Sequence, residues 1–267
     1  MSHSEMSIGG VRISLDQQGE GPPLLFLDSG MRFEALSSAA LDVLARDFTV
    51  YRPSHPGFGS SDRAVEMTSV DDLSYFYLDF LAEQDLTGVT IVGASFGAWI
   101  AAMMAVKCTA RISHLVLINP VGIKISDRET RDVVDIFSMT EEDVRKAIFH
   151  SPPDSPITYS SMDDALLAAR CREALARYAW APYMHDPKLK GRLHRIDVPT
   201  LVLRGVSDGL TQQPYSEAFA AAVPAAQFGL IDKAGHLPHL EQPERFAEAV
   251  GNFVLERNGV RAASGAH

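Results

Sequence analysis

The chain has 267 residues, of which 46% are hydrophobic and 22% are charged, and its formal net charge is −10. This composition is typical of a folded globular protein and excludes wholesale disorder. The excess of acidic residues argues against a protein that holds nucleic-acid phosphates through clustered Lys and Arg. The two cysteines are too few for a disulfide scaffold and lack zinc-site spacing, so no bound metal is expected. At about 100–200 residues per domain, the length fits one large domain or two small ones.

No segment of the sequence is predicted to enter a membrane. Residues 1–10 are polar and do not resemble a secretory signal. The longest unbroken apolar run, residues 98–106, is much shorter than the roughly 20 residues of a spanning helix. We therefore expect a cytoplasmic protein, a monomer or a homodimer, that acts on a small molecule and has no membrane or nucleic-acid partner.

Short apolar segments alternate with helical patterns along the chain. This alternation predicts an α/β fold in which helices flank a mostly parallel central sheet. Several of the segments are continuously apolar, as expected of strands that are buried on both faces. The predicted strands are, in chain order, 11–16, 24–27, 48–51, 89–92, 115–118, 201–203 and, more weakly, 226–231.

Two helices outside the middle of the chain have clear sequence patterns. Ser69 and Asp72 have the spacing of a capping box, and an apolar stripe follows them over residues 73–81. A second apolar stripe covers residues 246–254. The last residues, 258–267, are rich in Gly, Ala and Ser and are expected to fray.

One long interval, residues 120–197, contains no strand pattern. It is far longer than the usual connection of about 4–6 residues, yet it has three possible helix starts of the capping-box type. We therefore predict a helical lid, or cap, at 120–197, inserted into a core formed by residues 1–119 and 198–267. The three starts are Ser126 with Glu129, Thr140 with Asp143, and Ser161 with Asp164.

The central motif of the sequence is Gly93-x-Ser95-x-Gly97, which joins a predicted strand to an Ala-rich helix. A serine that attacks a substrate must project from a sharp, strained turn, and small residues on both sides let the backbone pass closely. The N-terminus of the following helix favours negative charge at this point. The alternative is a tight strand-to-helix turn in which the serine only caps the helix.

Three further motifs occur, at residues 52–62, 204–209 and 234–246. Together with the serine turn they resemble the α/β-hydrolase fold superfamily, in which the nucleophile, the acid and the histidine follow in this order. The resemblance covers most of the chain. It implies a serine hydrolase without cofactor or metal, with Ser95 as nucleophile, Asp208 as acid and His236, directly after Gly235, as base.

The chemistry of these side chains agrees with the implied roles. An imidazole has an intrinsic pKa near neutrality, so His236 is suited to take the proton of Ser95, and Asp208 would fix its tautomer and stabilise the imidazolium. Taken alone, Asp208 is also consistent with a helix cap and His236 with a structural loop histidine. His239, three residues further on, is a rival base.

A tetrahedral intermediate needs preset hydrogen-bond donors for its oxyanion. One is expected to be the backbone amide of Phe96, directly after the nucleophile. The resemblance places the second in the loop after strand 24–27, where most members have His-Gly and this sequence has Asp28-Ser29-Gly30-Met31. The donor is Gly30 or Met31, and the register favours Gly30. Asp28 either points away into a hydrogen-bonded loop or contacts the substrate.

The insert contains aromatic residues next to Pro182, of which Trp180 and Tyr183 are expected to line an apolar pocket for a small acyl or aromatic group. The alternative is that these side chains only pack the insert against the core. The sequence favours a serine hydrolase that cleaves small, largely apolar carboxylic esters or lactones through an acyl-enzyme on Ser95.

Two other functions remain open. The first is hydrolysis of a carbon–carbon bond in a dienol ring-cleavage product, which family members of this size with helical lids also perform. It would require a lid arginine that holds the substrate carboxylate, and the candidates are Arg170, Arg172 and Arg177. The second is a relative of the family that binds a ligand without catalysis.

Overall fold

The computed structural model describes residues 2–33, 38–152 and 161–257, and the predicted fraying of 258–267 lies outside them. The strands are β1 Ser2–Ile8, β2 Val11–Gln18, β3 Pro23–Leu27, β4 Thr49–Pro53, β5 Val89–Ala94, β6 Ile112–Ile118, β7 Thr200–Gly205 and β8 Gln227–Ile231. The helices are α1 Ala39–Leu44, α2 Val70–Glu83, α3 Phe96–Lys107, α4 Glu141–Ile148, α5 Met162–Ala179, α6 Gln213–Ala222, α7 Pro238–Glu241 and α8 Pro243–Arg257. A 3₁₀ helix covers Lys190–Arg195.

The eight strands form one sheet in the order β1-β2-β4-β3-β5-β6-β7-β8. β2 pairs antiparallel with both β1 and β4, whereas all pairs from β4 to β8 are parallel. The prediction of a mostly parallel sheet flanked by helices is therefore confirmed. Because β5 lies in the middle of the sheet between β3 and β6, the loops that follow these three strands meet at one edge.

The buried elements are those with continuous apolar sequences. Every residue of β5 and β7 is buried, and so is every residue of α3 except its last, Lys107. The α2 capping box forms as predicted: the amide of Asp72 donates to Ser69 Oγ, and the Asp72 carboxylate accepts from the amide of Ser69. Local sequence and burial thus agree along the centre of the sheet.

The strand β1 was not predicted, because its residues are polar and mostly exposed. It is one of the two edge strands of the sheet and pairs only with β2, to which it is joined by a turn in which Gly9 and Gly10 have φ values of 53° and 82°. Its stability derives from main-chain hydrogen bonds and from cross-strand ion pairs such as Arg12–Glu5 at 2.9 Å. A sequence pattern of buried residues cannot reveal such a strand.

The described part of segment 120–197 contains α4, α5 and the 3₁₀ helix. It contains no strand, and its residues form only isolated β-bridges. Thr140 and Ser161 accept the amides of residues 143 and 164 and begin α4 and α5 as predicted. The helix start at Ser126 is wrong. There the Asp127 carboxylate accepts the amides of residues 129 and 130, and Asp132 accepts those of 125 and 126, so that a loop replaces the helix.

Among the helices of the described residues, none combines the length and the apolar composition that spanning a membrane requires. In the same part of the chain, no group of three or more His, Cys, Asp or Glu side chains is placed to hold a metal ion. The cytoplasmic location and the oligomeric state, a monomer or a homodimer, stay predictions.

Candidate active site

Ser95 lies in a strained turn between β5 and α3. Its φ and ψ are 51° and −109°, a conformation that costs a non-glycine residue free energy and is found mainly at functional sites. A Cβ on Gly93 would lie 2.5 Å from the carbonyl oxygen of Gly97, and a Cβ on Gly97 would lie 2.1 Å from that of Leu27. Both glycines are therefore required for the close passage of the backbone that projects Ser95.

The turn brings Ser95 into contact with two residues from distant loops. His236 Nε2 lies 2.8 Å from Ser95 Oγ, and His236 Nδ1 lies 2.9 Å from Asp208 Oδ1. The three side chains are almost completely buried. An ionised carboxylate only accepts hydrogen bonds, so Nδ1–H donates to Asp208 and Nε2 accepts the hydroxyl of Ser95. This is the tautomer in which the imidazole can take the serine proton.

Asp208 is fixed from several sides. Its Oδ1 accepts the amide of Leu210 at 2.8 Å, and its Oδ2 accepts Thr211 Oγ1 at 2.8 Å and Arg204 Nη1 at 3.3 Å. Burial alone would raise the pKa of Asp208, but the charge and hydrogen bond of His236 and the charge of Arg204 outweigh it. The pKa therefore lies below its ordinary value of 3.8, and the carboxylate is ionised at neutral pH.

Arg204 was part of a motif in the sequence but was not recognised as a site residue. Its side chain is 3% exposed. Besides Asp208, it donates to Thr211 Oγ1, to Ser216 Oγ and to the carbonyl of Thr211, at 3.0, 3.1 and 2.8 Å. Burial lowers the pKa of this guanidinium, although an arginine stays protonated at any physiological pH. It holds the carboxylate on the side opposite His236.

The loop of His236 is held by two residues that sequence reasoning also missed. Asn119, which follows β6 and has a φ of 39°, donates from Nδ2 to the carbonyl of His236 at 2.8 Å. Glu241 Oε2 accepts the amides of Gly235 at 2.7 Å and His150 at 3.1 Å. Only Glu241 could have been found from the sequence, since it lies inside the motif at 234–246. Both fix the loop so that the imidazole faces Ser95.

His239, the rival base, is directed elsewhere. Its ring packs edge-on against Phe26 at 5.4 Å and lies 5.8 Å from the ring of Phe246. It is buried in the core at the start of α7. His236 is the histidine that the structure places at Ser95.

The two expected oxyanion donors differ in how well they are placed. The amide of Phe96 is the first of α3 and has no partner within its own helix, as at every helix N-terminus. Met31 lines the cavity at Ser95, whereas Gly30 lines a second cavity. The amide of Met31, however, already donates to Ser29 Oγ at 3.2 Å. The second donor, Gly30 or Met31, therefore stays a prediction.

Asp28 points away from the serine into an ion pair. Both carboxylate oxygens accept Arg52 Nε, at 3.1 and 3.0 Å, and Arg52 Nη2 lies 3.0 Å from Oδ2. Its carbonyl oxygen lies 3.0 Å from His55 Nε2. The carboxylate in place of the usual histidine is thus compensated by an arginine of β4, and it does not line the cavity at Ser95.

The cavity at Ser95 is small and apolar. Its volume is about 10 Å³, the space that one water molecule needs. Apart from Ser29, Ser95 and Phe96, all its lining side chains are aliphatic or methionine, among them Met31, Val121, Ile136, Leu175 and Met184. A substrate can enter only if some of these side chains move.

Trp180 and Tyr183 do not line this cavity, in contrast to the sequence-based expectation. Trp180 is 53% exposed, and its ring packs with those of Phe137 and Tyr183 at 5.6 and 6.0 Å. Tyr183 Oη accepts the amide of Ile136 at 3.0 Å. Trp180 is the C-cap residue of α5, and Leu175, one and a half turns earlier in the same helix, lines the cavity.

The three arginines considered as carboxylate ligands are engaged with the protein itself. Arg170 donates to the carbonyl of Ser61 at 2.6 Å, and Arg177 pairs with Glu173 at 2.9 Å. Arg172 donates to carbonyl oxygens of residues 136 and 137 and lies 5.3 Å above the ring of Phe137. None of them lines the cavity at Ser95.

Comparison with known proteins identifies relatives of this architecture. A model of the alpha/beta hydrolase family matches residues 25–249. The chain is 24% identical over 264 residues to 2-hydroxymuconate semialdehyde hydrolase from Pseudomonas sp. strain CF600, covering 94% of this chain and 93% of the relative. It is 23% identical over 264 residues to 3-oxoadipate enol-lactonase 1 from Acinetobacter baylyi, covering 91% and 92%.

Among solved structures, a putative lipase from Acinetobacter baumannii AYE matches with a TM-score of 0.81 and 20% identity, covering 97% of this chain and 92% of that one. At this identity the match shows the common fold. The match of the family model over most of the chain shows more: the chain belongs to the alpha/beta hydrolase family.

Proposed function

We propose that this member of the alpha/beta hydrolase family cleaves small, largely apolar carboxylic esters or lactones through an acyl-enzyme on Ser95. That the protein is a hydrolase follows from its family and its hydrolase relatives. The observation that carries the proposed acyl-enzyme is the continuous hydrogen-bonded chain from Asp208 through His236 to Ser95. It links a nucleophile, a base and an orienting carboxylate in one buried site.

In the first half of the reaction, Ser95 Oγ attacks the carbonyl carbon of the ester while His236 Nε2 takes its proton. Asp208 stabilises the imidazolium that forms. The oxyanion develops next to the amide of Phe96 and that of Gly30 or Met31, and each such donor contributes about 10²–10³ in rate. The tetrahedral intermediate collapses when His236 returns the proton to the leaving alcohol, which leaves an acyl-enzyme.

In the second half, a water molecule attacks the acyl carbon and His236 takes one of its protons. Collapse of the second tetrahedral intermediate releases the carboxylic acid, and the proton returns to Ser95 Oγ. A lactone follows the same two steps, except that the alcohol remains part of the product. The apolar lining of the cavity supports an acyl group that itself has little polarity near the carbonyl.

Carbon–carbon bond hydrolysis of a dienol ring-cleavage product is the second candidate. The similarity to a 2-hydroxymuconate semialdehyde hydrolase, over nearly the whole chain, favours it as strongly as the lactonase favours ester cleavage. In this reaction His236 would first promote ketonisation of the dienol, and the carbonyl would then be attacked at the same site. The substrate of this class is a carboxylate, for which Arg170, Arg172 and Arg177 have other partners.

The first test is covalent labelling by a fluorophosphonate probe. We expect stoichiometric labelling of the wild-type protein at Ser95 and none of Ser95→Ala, because that change removes the nucleophile and little volume. Turnover of a small p-nitrophenyl ester should fall at least about 10⁴-fold in the variant. A folded wild-type protein that is not labelled would instead indicate a relative that binds ligands without catalysis.

The second test separates the two reactions. The values of kcat/KM are measured for a panel of p-nitrophenyl esters of increasing acyl length, for a small lactone and for a dienol ring-cleavage acid. Ester or lactone cleavage at higher kcat/KM supports the proposal. Faster disappearance of the dienol absorbance, abolished by Ser95→Ala, would replace the proposal by carbon–carbon hydrolysis.

A further inference from the structure

A buried histidine, His55, lies between the two elements that are expected to supply the oxyanion donors. It belongs to the loop after β4, within the motif at 52–62, and is 1% exposed. Its Nε2 lies 3.0 Å from the carbonyl oxygen of Asp28, and its ring packs edge-on against that of Phe96 at 5.8 Å. His55 therefore contacts both the loop at 28–31, here called the oxyanion loop, and the residue whose amide is the first donor.

The hydrogen bonds of His55 fix the position of its proton. A carbonyl oxygen only accepts hydrogen bonds, so Nε2 carries the proton and donates it to Asp28. The other ring nitrogen, Nδ1, lies 2.5 Å from the hydroxyl of Tyr77, a fully buried residue of α2. In a neutral imidazole this nitrogen is an acceptor, so the hydroxyl of Tyr77 donates to it. Tyr77 thereby selects the tautomer in which His55 can bind the oxyanion loop.

Tyr77 is suited to the role of donor, and packing holds its partner in place. Burial and the negative charge of Asp28 raise the pKa of the Tyr77 phenol well above its ordinary value of 10, so the hydroxyl keeps its proton. The ring of His55 packs edge-on against those of Phe58 and Tyr77 at 5.5 and 5.6 Å. The orientation of the imidazole is therefore fixed by aromatic contacts as well as by its two hydrogen bonds.

The oxyanion loop lies directly against the same aromatic residues. A Cβ added at Gly30 would lie 3.0 Å from the ring of Phe58 and 3.4 Å from that of Phe96. Within this close packing, His55 holds the loop by the main chain, at the carbonyl of Asp28. A shift of the loop would move its amides away from the place where the oxyanion forms. A misplacement of about 1 Å can cost about 10²-fold in rate.

We propose that His55 is a positioning residue of the oxyanion hole, which holds the oxyanion loop in the tautomer set by Tyr77 so that a loop amide faces the developing oxyanion. This inference rests on the proposed function, because an ester or lactone forms such an oxyanion at Ser95. It applies whether the donor is Gly30 or Met31, since both follow Asp28 within three residues. His55 itself does not touch the substrate.

The test compares two esters that differ in one atom. The kcat/KM of a p-nitrophenyl ester is divided by that of its thionoester, in which sulfur replaces the carbonyl oxygen. Sulfur accepts hydrogen bonds more weakly than oxygen, so this ratio responds to the oxyanion donors and much less to the triad. We expect His55→Leu to lower the ratio at least about tenfold, since loss of one donor costs about 10²–10³ in rate. The loss should lie in kcat and not in KM, because the oxyanion exists only after the attack.

Two further variants show whether His55 acts through its hydrogen bonds. His55→Gln has an amide nitrogen in the place of Nε2, so it can still donate to Asp28 and should keep the ratio within about threefold of the wild type. Tyr77→Phe removes only the phenol oxygen and should lower the ratio, by less than His55→Leu. The double variant should equal His55→Leu alone, because Tyr77 acts through His55.

His114→Leu is the matched control. His114 is also buried, and its ring packs edge-on against Phe253 at 5.7 Å. It is the third residue of β6, so it lies far from the carboxyl end of the strand, where the loops of the active site meet. This change should lower the melting temperature and leave the ratio unchanged. Circular dichroism and thermal unfolding confirm that each variant is folded, and where His55→Leu does not fold, Tyr77→Phe provides the comparison.

The outcomes also distinguish this inference from the proposed function. A wild-type protein that is labelled at Ser95 and cleaves esters, with a ratio that neither His55→Leu nor Tyr77→Phe changes, overturns the positioning role and leaves the proposed function intact. An equal fall of the ratio in His55→Gln and His55→Leu also overturns it, because the hydrogen bond to Asp28 would then have no part in the effect. Absence of labelling and of all ester cleavage would instead contradict the proposed function.

Discussion

The two α-helices described in segment 120–197, α4 and α5, contact the core in different ways. The end of α4 is joined to the loops of the acid and the histidine by the main chain: Gly209 N donates to the carbonyl of Ala147 at 2.9 Å, and His236 N donates to that of Ile148 at 2.5 Å. In α5 the contacts are made by side chains, such as Tyr178 Oη to the carbonyl of Pro56 at 3.1 Å.

This difference bears on the prediction of one helical lid at 120–197. Main-chain bonds to both triad loops make the end of α4 a part of the catalytic scaffold, since moving it would displace Asp208 and His236 together. Side-chain contacts at partly exposed positions, such as Arg32 with Asp164, can break and re-form at low cost. The end of α4 thus belongs to the scaffold of the triad loops, and the helical lid at 120–197 stays a prediction.

The largest effects are expected on the side of α4, at the triad. His236 and His239 are both buried and lie three residues apart, so they form a matched pair. His236→Ala should lower kcat at least about 10⁴-fold, because it removes the base. His239→Ala should leave kcat within about tenfold and lower the melting temperature, because its ring packs in the core against Phe26. A larger loss of kcat in His239→Ala would contradict the assignment of the base.

The next effect is that of Arg204 on acid stability. The pKa of Asp208 is lowered in the folded protein, so its stabilising contribution is present above the unfolded pKa and is lost as the pH falls through the folded one. Arg204→Met removes one cause of the lowering. The folded pKa then rises, the contribution shrinks, and acid unfolding begins at a higher pH. We also expect about 3–5 kcal/mol lower stability at neutral pH and a lower kcat.

Circular dichroism against pH measures this shift for Arg204→Met. Arg204→Lys keeps the charge and should restore part of the acid stability, which separates charge from packing. In an Asp208→Asn background the same change should no longer move the acid midpoint, since no carboxylate titrates there. An equal shift in that background would mean that Arg204 acts through Thr211 and Ser216 and not through Asp208.

The sequence predicted the parts of this site that depend on neighbouring residues, and it missed those that depend on residues distant in the chain. The turn of Ser95 is encoded within five residues. A Cβ added at Gly93 or Gly97 would lie only 2.5 or 2.1 Å from a backbone oxygen, so both positions require glycine. The strands at the centre of the sheet, β5 and β7, are encoded by continuous apolar runs whose residues are all buried. Asn119 and Glu241 act through residues more than a hundred positions away or across a loop contact, and no periodicity marks such partners.

The helix start at Ser126 is an expectation that failed because of competing hydrogen bonds. The capping-box spacing at Ser126 was correct as a pattern, yet the carboxylate of Asp132 accepts the Ser126 amide and stabilises a loop. The spacing shows which residues can form a capping box, and other hydrogen-bond acceptors nearby decide whether the capping box forms.

The smallest effects are expected on the side of α5, where Leu175 and Trp180 can be compared. Leu175 is 3% exposed and lines the cavity at Ser95, whereas Trp180 is 53% exposed and does not. Leu175→Ala enlarges the cavity, so kcat/KM for a longer acyl ester relative to a short one should rise about tenfold. Trp180→Ala should change this ratio less than about twofold, as is usual for an exposed position. The measurement is the same ester panel with both variants. If Trp180→Ala changed the acyl preference more than Leu175→Ala, the substrate would bind against the exposed end of α5, and the closed cavity would not be the acyl site.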